Sequence, residues 1–293
     1  MLKLDHVSQT YRVGSFGRGR LTAVRDVSFE LQPGEVLSVI GESGSGKSTI
    51  GRMILRLLRP TAGSILYDGA DISQFRRGAV KDYYRNVQGV FQDPFSSYNP
   101  IFKADRIFGM IHTEFFPRVG ADEWRQRVSE ALESVALNPR DCLHKFPHQL
   151  SGGQLQRLLV ARALLLDIRY LVADEIISML DASTRIDVLN LLADLKARGL
   201  GILFITHDLS LGNYISDTTI ILRHGSIVEM GATEKVFGDP RHPYTQNLLA
   251  SVPLLHEKWR FNGSNATRPV ARPPEQAEVP PLVEVESGHL AAL

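Results

Sequence analysis

Residues 35–49, EVLSVIGESGSGKST, restrict this chain more than any other stretch. "EVLSVIG" (35–41) is a short apolar run of the kind found in strands buried on both faces. It passes directly into Gly41, Glu42, Ser43, Gly44, Ser45, Gly46, Lys47, Ser48 and Thr49. Apolar residues then recur at helical spacing in "TIGRMILRLLRP", which predicts a helix stopping at Pro60. A strand, a glycine-rich turn and a helix in that order give Gly41-x4-Gly46-Lys47-Ser48 its meaning as a phosphate loop. The glycines let the backbone wrap closely around phosphate oxygens. The helix N-terminus adds positive potential there. Lys47 is placed to reach the β- and γ-phosphates of a nucleotide, and the Ser48 hydroxyl to ligate Mg²⁺.

Other strand ends point to the same place. "RYLVADE" (169–175) is an apolar strand ending in two carboxylates. Asp174 there could hold the Mg²⁺ shell, and Glu175 could polarise an attacking water. "GILFITHD" (201–208) ends another strand at His207. Strand ends of a parallel sheet converge on one crevice, so His207 is expected to face the same phosphate. Leu2, Leu4 and Val7 suggest a first strand, and "AVRDVSFEL" alternates as a second. "DEWRQRVSEALESVAL" (122–137) places Trp124, Val128, Leu132 and Val135 on one helical face. "ILRHGSIVEMG" reads as two strands around His224–Gly225. A second glycine-rich helix start, "LSGGQLQR" (150–157), carries no lysine.

Lys plus Arg number 33 and Asp plus Glu 32, a net charge of +1, which gives no argument for a nucleic-acid partner. The single cysteine, Cys142, rules out a disulfide framework within the chain and fits a reducing compartment. The N-terminus does not read as a signal peptide, and no run approaches the roughly 20 apolar residues of a membrane helix. Any link to a membrane is expected to pass through another protein.

Six motifs arrive in a familiar order: "GESGSGKST", Gln92 in "VFQDP", "LSGGQ", "LVADE", Asp181 in "SMLDAS" and His207 in "ITHD". In this the chain resembles the nucleotide-binding subunit of ATP-binding-cassette (ABC) transporters. The resemblance implies an α/β fold: a RecA-like P-loop ATPase core, an antiparallel β subdomain and an inserted helical subdomain at about 93–165. It implies an ATPase domain over 1–235 that binds ATP and Mg²⁺. In this family the signature "LSGGQ" serves the ATP held by a second ATPase subunit, which assigns that role to Ser151, Gly152, Gly153 and Gln154. Tyr11 matches the aromatic that stacks on adenine. Gln92 matches the glutamine that touches Mg²⁺ or the attacking water. Asp181 matches a residue at the dimer interface, and His207 the contact to the γ-phosphate. The Mg²⁺ set is then Ser48, Gln92 and Asp174. "DPFSSYNPIF" (93–102) is the local candidate for docking on a membrane subunit.

The remainder, 236–293, forms a C-terminal extension. Its "HPYT" resembles the oligopeptide, dipeptide and nickel importer branch, which some oligosaccharide importers share. That branch implies a motor subunit at the cytoplasmic membrane face, with a paired ATPase, two transmembrane permease subunits and an extracytoplasmic solute-binding protein. A soluble ATPase of the carbon–phosphorus lyase accessory type shares the "HPYT" region and is the alternative. The solute, and whether the ATPase pair is identical, are carried by other chains. The chain departs from the family pattern in two places. Ile176 stands where relatives usually have proline after the catalytic glutamate, which bears on loop stiffness. The cysteines that hold an iron–sulfur cluster in many members are missing after "HPYT". The end, "RPVARPPEQAEVPPLVEVESGHLAAL", reads as an extended tail without a core. A cluster needs thiolate ligands that Cys142 alone does not supply. Purified protein is therefore expected to be colourless, and iron and acid-labile sulfide assays should fall far below cluster stoichiometry.

Overall fold

The computed structural model describes residues 1–13, 19–251 and 280–293. β1 (Leu2–Val13) and β2 (Gly19–Leu31) pair antiparallel, and β3 (Val36–Ile40) leaves them for a second sheet. β4 (Ala62–Tyr67) and β5 (Ala70–Asp71) return to the first, giving the antiparallel order β2-β1-β4-β5. The second sheet adds β6 (Val87–Val90), β7 (Tyr170–Asp174), β8 (Gly201–Thr206), β9 (Thr218–Arg223) and β10 (Ser226–Ala232). β11 (Leu282–Glu286) and β12 (His289–Ala292) complete the order β11-β12-β10-β9-β3-β8-β7-β6. The strands from β9 through β3, β8 and β7 to β6 run parallel, while β10, β12 and β11 are antiparallel additions.

Every residue of β3, β7 and β8 is buried, as their apolar runs require. Helices cover both faces. α1 (Lys47–Ile54) packs Ile50, Met53 and Ile54 between the two sheets, in one cluster with Leu2, Leu4, Leu203 and Ile205. α2 (Arg77–Asn86) follows the small sheet and buries Tyr83. α3 (Arg106–Phe115), α4 (Ala121–Ser134) and α5 (Pro139–Cys142) form the helical insertion. Trp124, Val128, Leu132 and Val135 are all buried there, each worth about 1.5–3 kcal/mol as a large apolar side chain. α6 (Gly152–Leu164) carries Leu155, Leu158 and Leu159, which join the insertion to β7 and β8 in one continuous core. α7 (Ala182–Ala197), α8 (Leu209–Ile215), α9 (Thr233–Gly238) and α10 (Pro243–Ala250) follow.

Two expectations need correction. The helix predicted to run to Pro60 ends at Ile54. Arg56 takes a left-handed φ of 55°, and the amides of Leu57 and Leu58 both turn back to the Arg52 carbonyl. The tail is also no coreless extension over its last residues, although 268–279 of it lie outside the described residues. β11 and β12 form a hairpin turning at Gly288 (φ 70°), and β12 pairs with the edge of β10. Its anchor is His289, fully buried, whose Nε2 lies 2.8 Å from Oε1 of the equally buried Glu229. Glu229 also accepts from the backbone N–H groups of Arg241 (2.7 Å) and His242 (3.0 Å), so one carboxylate ties the tail to the start of α10. His289→Ala should lower the unfolding free energy by about 1–3 kcal/mol, read by chemical denaturation, because it strips a partner from a buried acceptor.

Candidate functional site

The parallel strands end together, and their C-terminal ends carry the loop groups. α1 starts at Gly46, whose φ is 106° and whose missing Cβ would stand 2.2 Å from the Ala23 carbonyl oxygen of β2. Only glycine fits both constraints. The Lys47 side chain folds back, and its Nζ donates to the carbonyls of Gly41 (2.7 Å) and Glu42 (2.8 Å). Burial pushes its pKa down, with the charges of Glu175, Asp174 and Glu42 opposing.

Ser48 Oγ, in the first turn of α1, donates to Asp174 Oδ1 at the end of β7 at 3.0 Å. Burial pushes the Asp174 carboxyl up, against the hydrogen bond from Ser48. Two hard oxygen donors this close suit a Mg²⁺ ion. Glu175 follows in a left-handed conformation, φ 51°, with its N–H held by the Ile205 carbonyl at 2.9 Å. Ile176, in the position questioned by sequence, is 1% exposed and packs in the main core, so apolar anchoring holds this loop. His207 Nδ1 lies 3.3 Å from Glu175 Oε1. Gly41, Glu42, Ser43, Glu175 and His207 line one cavity of about 420 Å³, together with Ile40, Leu209 and Leu248. Leu209 and Leu248 were not singled out from sequence; an apolar residue at a helix gives no hint of a distant loop.

The remaining candidates lie around this centre. Gln92 sits exposed, just past the end of β6, whose Val90 pairs with Ala173 beside Asp174. Tyr11 is half-buried on β1 opposite Leu21, one pair along from Thr10–Thr22 and close to the Ala23 that backs Gly46. The signature residues stand apart. Ser151 caps α6: Gln154 N–H donates to Ser151 Oγ (3.2 Å) and Ser151 N–H to Gln154 Oε1 (2.9 Å). A Cβ on Gly153 would meet Thr184 at 2.6 Å, so the start of α6 lies against the start of α7. There Asp181 accepts from the hydroxyls of Ser183 (2.6 Å) and Thr184 (2.9 Å) and from the Thr184 N–H (3.0 Å). Those bonds, the Ser183 hydroxyl first, hold its carboxyl well below the usual range. None of Ser151, Gly152, Gly153 and Gln154 lines the cavity at the phosphate loop.

Residues 24–178 match the ABC transporter family, and residues 228–278 match the C-terminal region of oligopeptide/dipeptide transporters. The chain belongs to the ABC transporter family. It is 38% identical to the oligopeptide transport ATP-binding protein OppF of Bacillus subtilis over 293 residues, covering 99% of this chain and 94% of that protein. A Brucella ovis protein, provisionally named for peptide import and ATP binding, is 43% identical over 235 residues, 80% of this chain and 73% of its own length. An ATP-binding cassette solved as a dimer in a post-hydrolysis state with ADP and Pi superposes with a TM-score of 0.71 at 28% identity, over 80% of this chain and 99% of that one. The ABC chain is thus an ATPase whose activity is coupled to transport. Among the described residues no helix is long and apolar enough to cross a membrane.

The raised Asp174 pKa carries a sign. A carboxyl whose folded pKa lies above its unfolded value disfavours the folded state wherever it is ionised. Asp174→Asn should therefore raise the melting temperature of the nucleotide-free chain at neutral pH. The difference from wild type should shrink as pH falls through the raised pKa and wild-type Asp174 takes up its own proton. Thermal unfolding across that pH range measures it.

Proposed function

We propose that this chain is the motor subunit of an importer for peptides or a related small solute, and that it closes with a second ATPase subunit around ATP. The observation that carries the shared-site reading is the separation of the two glycine-rich helix starts. Gly41, Glu42 and Ser43 of the phosphate loop line the cavity with Glu175 and His207, while Ser151 to Gln154 are not among its lining and lie against the start of α7. A signature that stands apart from its own chain's cavity is free to serve a neighbour's phosphates. The relatives named for peptide transport and the match at 228–278 support the solute class.

In this reading Tyr11 stacks on the adenine, and backbone N–H groups from Ser43 to Thr49 hold the phosphates. The Lys47 ammonium, seated on the Gly41 and Glu42 carbonyls, turns its remaining N–H toward the β- and γ-phosphate oxygens. Ser48 and Asp174, with Gln92, would hold Mg²⁺, which supplies positive charge against the phosphates when bound. Glu175 accepts a proton from the attacking water, and His207, 3.3 Å from it, is placed to steady the γ-phosphate. Asp181 meets the partner subunit across the closed interface.

The exposed Phe95, Ile101 and Phe102 follow Gln92 directly and form the docking surface for a permease subunit. The other partners are a second permease subunit and an extracytoplasmic solute-binding protein, with the chain held at the cytoplasmic face of the membrane. Co-purification with membrane subunits separates this reading from a soluble enzyme-complex ATPase.

Glu175→Gln should leave ATP binding intact and slow hydrolysis in the assembled complex by about 10²–10⁴-fold. Wild-type turnover would remove Glu175 from the catalytic role. Ser151→Arg tests the shared site. It should abolish ATPase in the complex while the isolated chain binds ATP with wild-type affinity, because residues 41–49 are untouched. Loss of ATP binding by the isolated Ser151→Arg chain would put the signature in its own chain's pocket and overturn the reading.

A further inference from the structure

The start of α10 contains "HPYT", and its tyrosine reaches the phosphate loop. Tyr244 is buried, and its hydroxyl accepts from the Glu42 backbone N–H at 3.4 Å. That N–H shares one planar peptide with the Gly41 carbonyl. In a trans peptide the two groups point in opposite directions, so fixing one fixes the other. The Gly41 carbonyl is one of the two oxygens that hold the Lys47 ammonium, at 2.7 Å. Only glycine fits at position 41, since a Cβ there would stand 2.2 Å from the Leu222 carbonyl oxygen. The Gly41–Glu42 peptide is thus held on one side by Tyr244 and holds Lys47 on the other.

Tyr244 is itself held on several sides. Its N–H donates to His242 Nδ1 at 3.0 Å. The His242 and Arg241 N–H groups are fixed by buried Glu229, which His289 of the tail hairpin also contacts. The Arg223 guanidinium lies 4.8 Å from the tyrosine ring centre. Leu248, one turn further along α10, lines the cavity next to Glu42 and Ser43.

We infer that Tyr244 is a positioning residue for phosphate binding: through the Gly41–Glu42 peptide, its hydroxyl sets the seat from which Lys47 meets the β- and γ-phosphates. This rests on the proposed role of Lys47. The C-terminal extension then does more than mark a transporter branch, because it braces the nucleotide site of its own chain.

Calorimetric titration of the full chain with ATP and with AMP tests the inference. Tyr244→Phe keeps the ring and removes the hydroxyl. It should weaken ATP binding about two- to ten-fold, the loss expected for one neutral hydrogen bond, and leave AMP, which lacks the β- and γ-phosphates, unchanged. Unchanged ATP affinity would overturn the inference. So would an equal loss for AMP, which would mean a general loosening of the pocket. Lys47→Ala separates the two levels of the argument. If it binds ATP like wild type, the role of Lys47 is wrong. If it loses ATP affinity while Tyr244→Phe does not, only the role of Tyr244 is wrong. Should Tyr244→Phe fail to fold, amide exchange in the wild-type chain decides. The Glu42 N–H should exchange slowly, and exchange at the rate of an unprotected peptide would overturn the tether.

Discussion

The ladder that holds β3 between β8 and β9 determines where every group of the site sits. Ile40 pairs with Thr206 on one side and Ile221 on the other, and Asp174 on β7 pairs with Ile205. Because these strands are parallel and in register, the chain leaves each at the same edge of the sheet. The phosphate loop, Glu175, His207 and Gln92 therefore emerge side by side though they are far apart in sequence. The register is firmly set, because β3, β7 and β8 are buried at every position. A shift of one residue would reverse which face each side chain packs against. The geometry of the proposed site is inherited from apolar packing.

That packing carries groups which are unfavourable by themselves. Lys47 and Asp174 are both held in places where burial disfavours their charged forms. Glu175 takes a left-handed backbone, a conformation that costs of order 1–3 kcal/mol in a residue with a side chain. Ile176 and Ile177, each 1% exposed, bind the following loop into the core and offset that strain. Under the proposed function, anionic phosphates would relieve the desolvated ammonium, and a cation the desolvated carboxylate.

The centre of the site was legible because its signals are local. A strand, a glycine loop and a helix in a row need no knowledge of the rest of the fold, and neither does an apolar run ending in two carboxylates. Gly46 could be read as necessary from its motif, but the Ala23 carbonyl that forbids any side chain there could not. What was missed depends on distant pairing. "LVEVESGHLAAL" holds alternation and a glycine turn, the ordinary marks of a hairpin, yet proline and glutamate around it pointed to an extended tail. What makes it fold is an edge on β10 and the buried Glu229, which the sequence presents as one polar residue in an alternating strand. Tyr244 was visible only as part of a branch marker, since its partner Glu42 lies 202 residues earlier. The overlong α1 failed for a smaller reason: nothing local to Arg56 signals a left-handed turn.

The two glycine-rich helix starts also differ in how they treat their own backbone. At Gly46 no side chain caps α1, so the first N–H groups of that helix are left for a ligand. At Ser151 the capping box uses the serine hydroxyl and the Gln154 amide within the chain. A phosphate bound at the first start displaces nothing from the helix end. One bound at the second competes with an internal cap, so its grip is the weaker by the hydrogen bonds given up. Under the proposed mechanism that asymmetry has a purpose. The chain's own nucleotide is held by the phosphate loop whether the pair is open or closed, while the contact to the neighbour's ATP must form and break in every cycle. A helix start that can satisfy itself loses little when the partner leaves, and this lets the pair open once hydrolysis has removed the γ-phosphate between them.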